Sequence, residues 1–145
     1  MNEKYLMPTQ QTGRKFVMRQ IIGNVVMLNL LRFRTIADYS TTPELMPNEP
    51  ISGKDAYQLY IEHTLPFLIA SGGEILFMGD GGAYLIGPTD EHWDAVLLIR
   101  QNSVENFLAF ESNKEYMKGI GHRTAALEDS RLLPLIENKK NINEK

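Results

Sequence analysis

No cysteine occurs among the 145 residues. Disulfide staples and thiolate chemistry are thereby excluded, the fold must be held by its core, and a cytoplasmic origin is favoured. No apolar run approaches the roughly 20 residues that a bilayer-crossing helix needs. The opening Met1-Asn2-Glu3-Lys4-Tyr5 also lacks the apolar centre of a secretory signal. Strong charge of one sign is missing too. The net charge is -3, and the densest basic group, Arg14, Lys15 and Arg19, is not part of an aromatic-interleaved basic patch of the nucleic-acid-binding kind. The three histidines, His63, His92 and His122, stand far apart with no His-x-His or His-Glu-x-x-His spacing, so no metal ligand set is expected. The expectation is a soluble cytoplasmic protein with no membrane or nucleic-acid partner and no metal or other cofactor.

A chain of this length fits one domain and buries roughly 68–70% of its unfolded surface. Val25-Val26-Met27-Leu28-Asn29-Leu30-Leu31-Arg32-Phe33 is apolar on both alternating faces, which predicts a central strand covered on both sides. Ahead of it, residues 1–12 read as a polar, loosely held arm and Gly13–Ile22 as a short helix closed by Gly23, so 1–23 form an N-terminal appendage. Thr35–Ser52, with Pro43, Pro47 and Pro50, reads as a long loop, either a lid over a pocket or a flap at a dimer edge. Ser52 caps a helix carrying Ala56, Leu59, Tyr60, His63, Phe67 and Ala70 on its buried stripe, kinked or restarted at Pro66 and ended by Gly72-Gly73.

Glu74–Met78 and Ala83–Ile86 read as short strands joined by a turn at Gly79-Asp80-Gly81-Gly82. A phosphate loop fails there on context, since strand-like residues follow rather than a helix. Trp93–Gln101 is a second strand apolar on both faces. Asn102 with Glu105 and Ser112 with Glu115 mark helix starts, and Gly119 a stop. Arg131–Ile136 reads as an edge strand, because Pro134 would waste a ladder hydrogen bond in a central one. Residues 24–136 then make the domain, and 137–145 a flexible tail.

Strand, helix, strand, strand, helix, strand is the split βαβ order of an α+β, ferredoxin-like fold: an antiparallel sheet with its helices on one face. Right-handed crossovers put the first and third strands at the centre. The opposite face would leave about six large apolar side chains wet. At ~1.5–3 kcal/mol each, that forfeits on the order of 10 kcal/mol, comparable to a whole domain's net stability. A second copy of the sheet is the economical cover, so a homodimer through the sheet face is expected.

Several ordered segments support a resemblance: Val25–Phe33, Ser71-Gly72-Gly73-Glu74, the Trp93-Asp94 strand start, the Phe107…Tyr116 helix, and Ala125-Ala126-Leu127-Glu128-Asp129-Ser130-Arg131-Leu132. Over roughly residues 24–136 the chain resembles domain-of-unknown-function family 1330 of the dimeric α+β barrel superfamily. The resemblance implies the fold and the dimer. It implies no reaction: the wider superfamily includes cofactor-free monooxygenases, small-molecule isomerases and heme enzymes.

Within that fold His63 reads as a core histidine or as a proton acceptor and donor facing the space between helices and sheet. Asn29 and Glu74 are unusual polar residues in or beside strands, each either paired internally or aimed at a pocket. Arg123, beside His122, offers a bidentate grip on a carboxylate; alternatively Arg123 or Arg131 pairs with Glu74, Glu128 or Asp129. Tyr60, with Tyr57 and Tyr84, is a candidate for the pocket lining. Two functions are carried forward. One is a cofactor-independent small-molecule enzyme, monooxygenase- or isomerase-like, acting on an apolar or aromatic ligand through catalytic His63, with Asn29, Tyr60, Glu74, His122 and Arg123 as ligand-binding residues. The other is a non-catalytic dimeric binding or interaction module with those polar groups internally satisfied.

Overall fold

The structure, a computed structural model, describes residues 3–138. Val25–Phe33 forms strand β1 and His92–Gln101 forms β3. They pair antiparallel at the centre of a four-stranded sheet ordered β2-β3-β1-β4, with β2 (Glu74–Ala83) and β4 (Leu127–Leu135) at its edges. Every pairing is antiparallel, so the fold is the α+β, ferredoxin-like arrangement. Pro134 lies in edge strand β4, where its missing donor costs least. Among the described residues no helix is long and apolar enough to cross a membrane.

All the large helix contacts fall on one face. Leu31, Ala95 and Leu97 pack against Ala56 and Tyr57 of α2 (Gly53–Ala70) and against Ala125 and Ala126 of α5 (Ile120–Ala126). Val25 and Met27 meet Val104 and Phe107 of α3 (Val104–Glu111). Leu68, Phe110 and Tyr116 close the layer where α2, α3 and the short α4 (Lys114–Met117) meet. Asn29 shares this helix-side face, since it alternates with Met27 and Leu31 and stands opposite Leu97.

The other face is open. Read across the sheet, one row runs Phe77, Leu98, Leu28, Leu133, with Gly79, Val96, Leu30, Arg131 on one side of it and Glu74, Arg100, Val26, Leu135 on the other.

Several expectations are corrected. Gly79-Asp80-Gly81-Gly82 is not a turn: it lies within β2, with Gly79 opposite Val96, Asp80 opposite Ala95 and Gly82 opposite Trp93. A Cβ on Gly81 would strike the Trp93 carbonyl oxygen, so the residue is glycine because a neighbouring backbone comes close. A bulge between Ile75 and Phe77 sets the register of the edge.

Helix α2 is capped as expected, Ser52 Oγ accepting from the Asp55 amide at 3.0 Å, but it runs unbroken through Pro66. Its buried residues are Gly53, Ala56, Tyr57, Thr64 and Leu68, a stripe rotated away from the expected one, with His63 on its flank. The other helix starts sit one residue later than expected, at caps Ser103 and Asn113. Helix α1 spans Gln10–Met18 behind a Thr9–Thr12 capping box and ends where Gln20 takes φ 50°, three residues before Gly23.

The N-terminal arm is strapped down rather than loose. Lys4 pairs with Glu128 at 2.9 Å, the Tyr5 amide donates to Asp129 at 2.8 Å, the Tyr5 carbonyl accepts from Ser130 Oγ, and the Leu6 carbonyl accepts from Arg123 at 2.7 Å. The long loop is folded too. Its Ala37 amide donates to the Ile51 carbonyl, its Asp38 amide donates to the Ala125 carbonyl, and a short 3-10 helix spans Pro43–Leu45. Of the expected flexible tail, residues 139–145 lie outside the described residues.

Candidate functional site

The helices gather a polar cluster on the side of α2 that faces α4 and α5. Tyr57 and Tyr60 come from successive positions of the α2 stripe, and their rings sit 5.2 Å apart. The Tyr60 and Tyr116 hydroxyls are hydrogen-bonded at 2.7 Å. Burial pushes all three phenols above their ordinary pKa, so they stay protonated. Glu111, at the end of α3, is raised by burial against the opposing pull of Tyr116 and Arg123. The Arg123 guanidinium, from α5, lies near the three phenols and Glu111. It donates to the Leu6 carbonyl at 2.7 Å and to Ser130 Oγ at 3.5 Å.

His63 is bonded within the helix layer, as the core-histidine alternative has it. Its Nε2–H donates to the carbonyls of Glu115 at 2.8 Å and Tyr116 at 3.1 Å. Those carbonyls lie in the last turn of α4, where they also accept from the Lys118 amide at 3.3 Å and the Gly119 amide at 3.1 Å. The ring lies 5.4 Å from Phe67 and so close to Gly119 that a Cβ there would collide with it. His63 therefore ties α2 to α4 and α5, with the proton fixed on Nε2.

His122 Nδ1 is hydrogen-bonded to the Tyr39 hydroxyl at 2.7 Å, the two rings meeting edge to face. Burial and the neighbouring His63 both push the His122 pKa down, and burial pushes Tyr39 up. A neutral imidazole thus meets a protonated phenol. Tyr39 also lines an open groove of about 260 Å³ formed by the long loop, with Ile36, Met46, Pro47 and Ile51.

Two candidates stand apart from the cluster. Asn29 is buried, 7% exposed, and its side-chain amide donates to the Met27 carbonyl of its own strand at 3.2 Å. Glu74 is at the opposite edge and pairs with Arg100 at 2.8 Å, not with Arg123 or Arg131. Arg131 instead holds Asp129 at 2.7 Å, one of the pairings anticipated for it. Tyr60, His63, His122 and Arg123 are thus brought to one region, and Asn29 and Glu74 are not. Tyr116, Glu111 and the Tyr39–His122 bond were not anticipated. Tyr116 showed only as the end of a helical segment, and Tyr39 only as one residue of the long loop. Among the described residues no group of three or more histidine, aspartate or glutamate side chains could hold a metal ion.

No family model matches the chain, so the resemblance to domain family 1330 is not confirmed at that level. No curated protein matches either. Solved structures do. A structure of the methylated RPA0582 protein is 33% identical, covers 94% of this chain and 97% of its own, and superposes with a TM-score of 0.83. A second, described as RPA0582, a protein of unknown function from Rhodopseudomonas palustris, is 34% identical over 94% of this chain and 99% of its own, with a TM-score of 0.81. More distantly, a dimeric protein of unknown function and ferredoxin-like fold from Bacteroides fragilis is 13% identical, covering 77% of this chain and 94% of its own, with a TM-score of 0.45. With a third of its residues identical along nearly the full length of both chains, this chain belongs to the family of the Rhodopseudomonas palustris RPA0582 protein.

Proposed function

We propose that this protein works as a homodimeric, non-catalytic binding or interaction module assembled through the open face of its sheet. The observation that carries this reading is that face. Its central row is apolar from edge to edge, Phe77 and Leu133 are 54% and 53% exposed, and charged residues stand beside it, the Glu74–Arg100 pair on one side and Arg131 on the other. An apolar centre with charged margins suits a twofold partner that presents the same surface. The interior supports the module over an enzyme, because His63, Asn29 and Glu74 each have an internal partner.

In this reading residues 24–136 are the dimerising domain, 1–23 and 137–145 are its appendages, and the protein is cytoplasmic. Membership in domain-of-unknown-function family 1330 is part of the same proposal. Light scattering across micromolar concentrations tests it. The native chain should show twice the monomer mass, and Leu28→Glu, at the centre of the face and away from the helix-side core, should reduce it to one. A native chain that stays monomeric throughout would sink the proposal.

A second reading, a cofactor-independent small-molecule enzyme of monooxygenase or isomerase type, is favoured by a specific pair rather than by His63. The neutral His122 imidazole on the Tyr39 hydroxyl is a group able to take a proton near neutral pH. His122→Gln should abolish turnover of any substrate found, and His63→Ala should not.

A further inference from the structure

Arg123 is set apart by what it does not have. Arg131 is paired with Asp129 at 2.7 Å and Arg100 with Glu74 at 2.8 Å. The Arg123 guanidinium is half-buried, yet among the described residues no carboxylate lies within 4.0 Å of it. A guanidinium carries five N–H donors, and here they meet one close acceptor, the Leu6 carbonyl, one at the limit of reach, Ser130 Oγ, and the neutral Tyr57 hydroxyl beside them. Partly buried cations are ordinarily matched by an anion. Glu111, which lies near it, forms no ion pair with it and is pushed toward its neutral form by burial. Beside it also lie the phenols of Tyr57, Tyr60 and Tyr116. They offer apolar faces and hydroxyl groups but no charge.

The acceptor now on Arg123 comes from the N-terminal arm, which precedes the first helix. The arm is held by the exposed Lys4–Glu128 pair, a kind of contact that stabilises little. It is also held by the Tyr5 amide on Asp129, by the Ser130 hydroxyl, which touches both the Tyr5 carbonyl and the guanidinium, by the Arg131 guanidinium over the Tyr5 ring, and by the Leu6 side chain against the helix-side core. Backbone carbonyls are weaker partners for a guanidinium than a carboxylate, which binds two donors at once.

We propose that Arg123 anchors a binding site for a small carboxylate with an aromatic or apolar body, and that the N-terminal arm is a displaceable strap whose Leu6 carbonyl takes the place of the ligand oxygen. With the Leu6 side chain withdrawn from the core it packs against, Tyr60 and the buried Tyr57 receive the body and Arg123 the carboxylate. The inference rests on small-molecule binding within the helix layer and is independent of the dimer.

Isothermal titration of the full chain with benzoate, and with neutral benzamide of the same shape, tests it. Benzoate should bind saturably and benzamide at least about 10-fold more weakly. Arg123→Gln should weaken benzoate by about 10- to 100-fold, with Arg123→Lys falling between because it keeps the charge and loses the fork. At saturation the amides of Tyr5 to Met7 should exchange hydrogen faster. Absence of benzoate binding, equal binding of benzamide, or native affinity in Arg123→Gln overturns the site, and unchanged arm exchange overturns the strap. Should Arg123→Gln fail to fold by circular dichroism, the benzoate-to-benzamide ratio and the arm exchange of the native chain decide. Light scattering of the same samples shows whether the dimer stands when the site does not.

Discussion

His63 reads in sequence either as a core histidine or as a proton acceptor and donor, and in the structure its Nε2–H bonds to two backbone carbonyls. Its two carbonyl bonds reinforce a helix end whose carbonyls also accept from the Lys118 and Gly119 amides, so His63→Ala should cost about 0.5–1.5 kcal/mol, read from urea unfolding, without changing the mass of the particle in solution. His122 gives the opposite kind of signal. Its folded pKa lies below the ordinary histidine value of about 6.5. The unfolded chain therefore binds the extra proton first as pH falls. Stability should be full above about pH 6.5, decline as pH drops toward the lowered folded pKa, and lose nothing more from this residue below it. Melting temperatures between pH 7.5 and 5.5 should show the decline, and His122→Gln should flatten it. Asn29 was legible only as a question about faces. Its alternation with Met27 and Leu31 fixes it on the helix side, and its bond to the Met27 carbonyl shows that its own strand satisfies it.

The elements that read best were those with a strong local signal, β1 and β3 above all, because a strand apolar on both faces can only be central. The glycine run in β2 misled because turn chemistry and close backbone approach select the same residue. The structure separates the two causes position by position. Gly81 faces the Trp93 carbonyl, whereas a Cβ on Gly82 would meet nothing within 4 Å. Gly81→Val should therefore loosen the β2–β3 pairing and destabilise the fold, and Gly82→Val should be neutral or stabilising through its strand preference. Paired thermal melts would distinguish this from a turn, in which both substitutions would harm. Helix α2 misled for another reason. Leu59, Ile61, Leu65 and Ile69 make it apolar around much of its circumference, so more than one stripe fits, and only packing against Leu31 and Ala125 selects Tyr57 over His63. The strap was invisible because its contacts join residues more than a hundred positions apart, which no local pattern encodes.

At the scale of the whole molecule the sheet divides the protein into a helix side satisfied within one chain and an open side that is not. If a second copy covers the open side, the midpoint of thermal unfolding should rise with protein concentration, since mass action stabilises whatever binds only the folded state. In Leu28→Glu it should not. The end of the sheet where the strap arrives has a further consequence. Trp93 is the sole tryptophan of the chain and is 3% exposed. Its ring is flanked by the Arg32 guanidinium at 4.9 Å and by that of Arg131 at 5.1 Å, and Arg131 in turn stacks on Tyr5 of the arm. Its indole N–H donates to the Tyr84 hydroxyl at 2.6 Å. The protein thus contains an intrinsic fluorophore beside the segment proposed to move. Emission from this indole should shift to longer wavelength whenever the arm lifts, giving an optical record of strap opening in an unlabelled, unmutated chain.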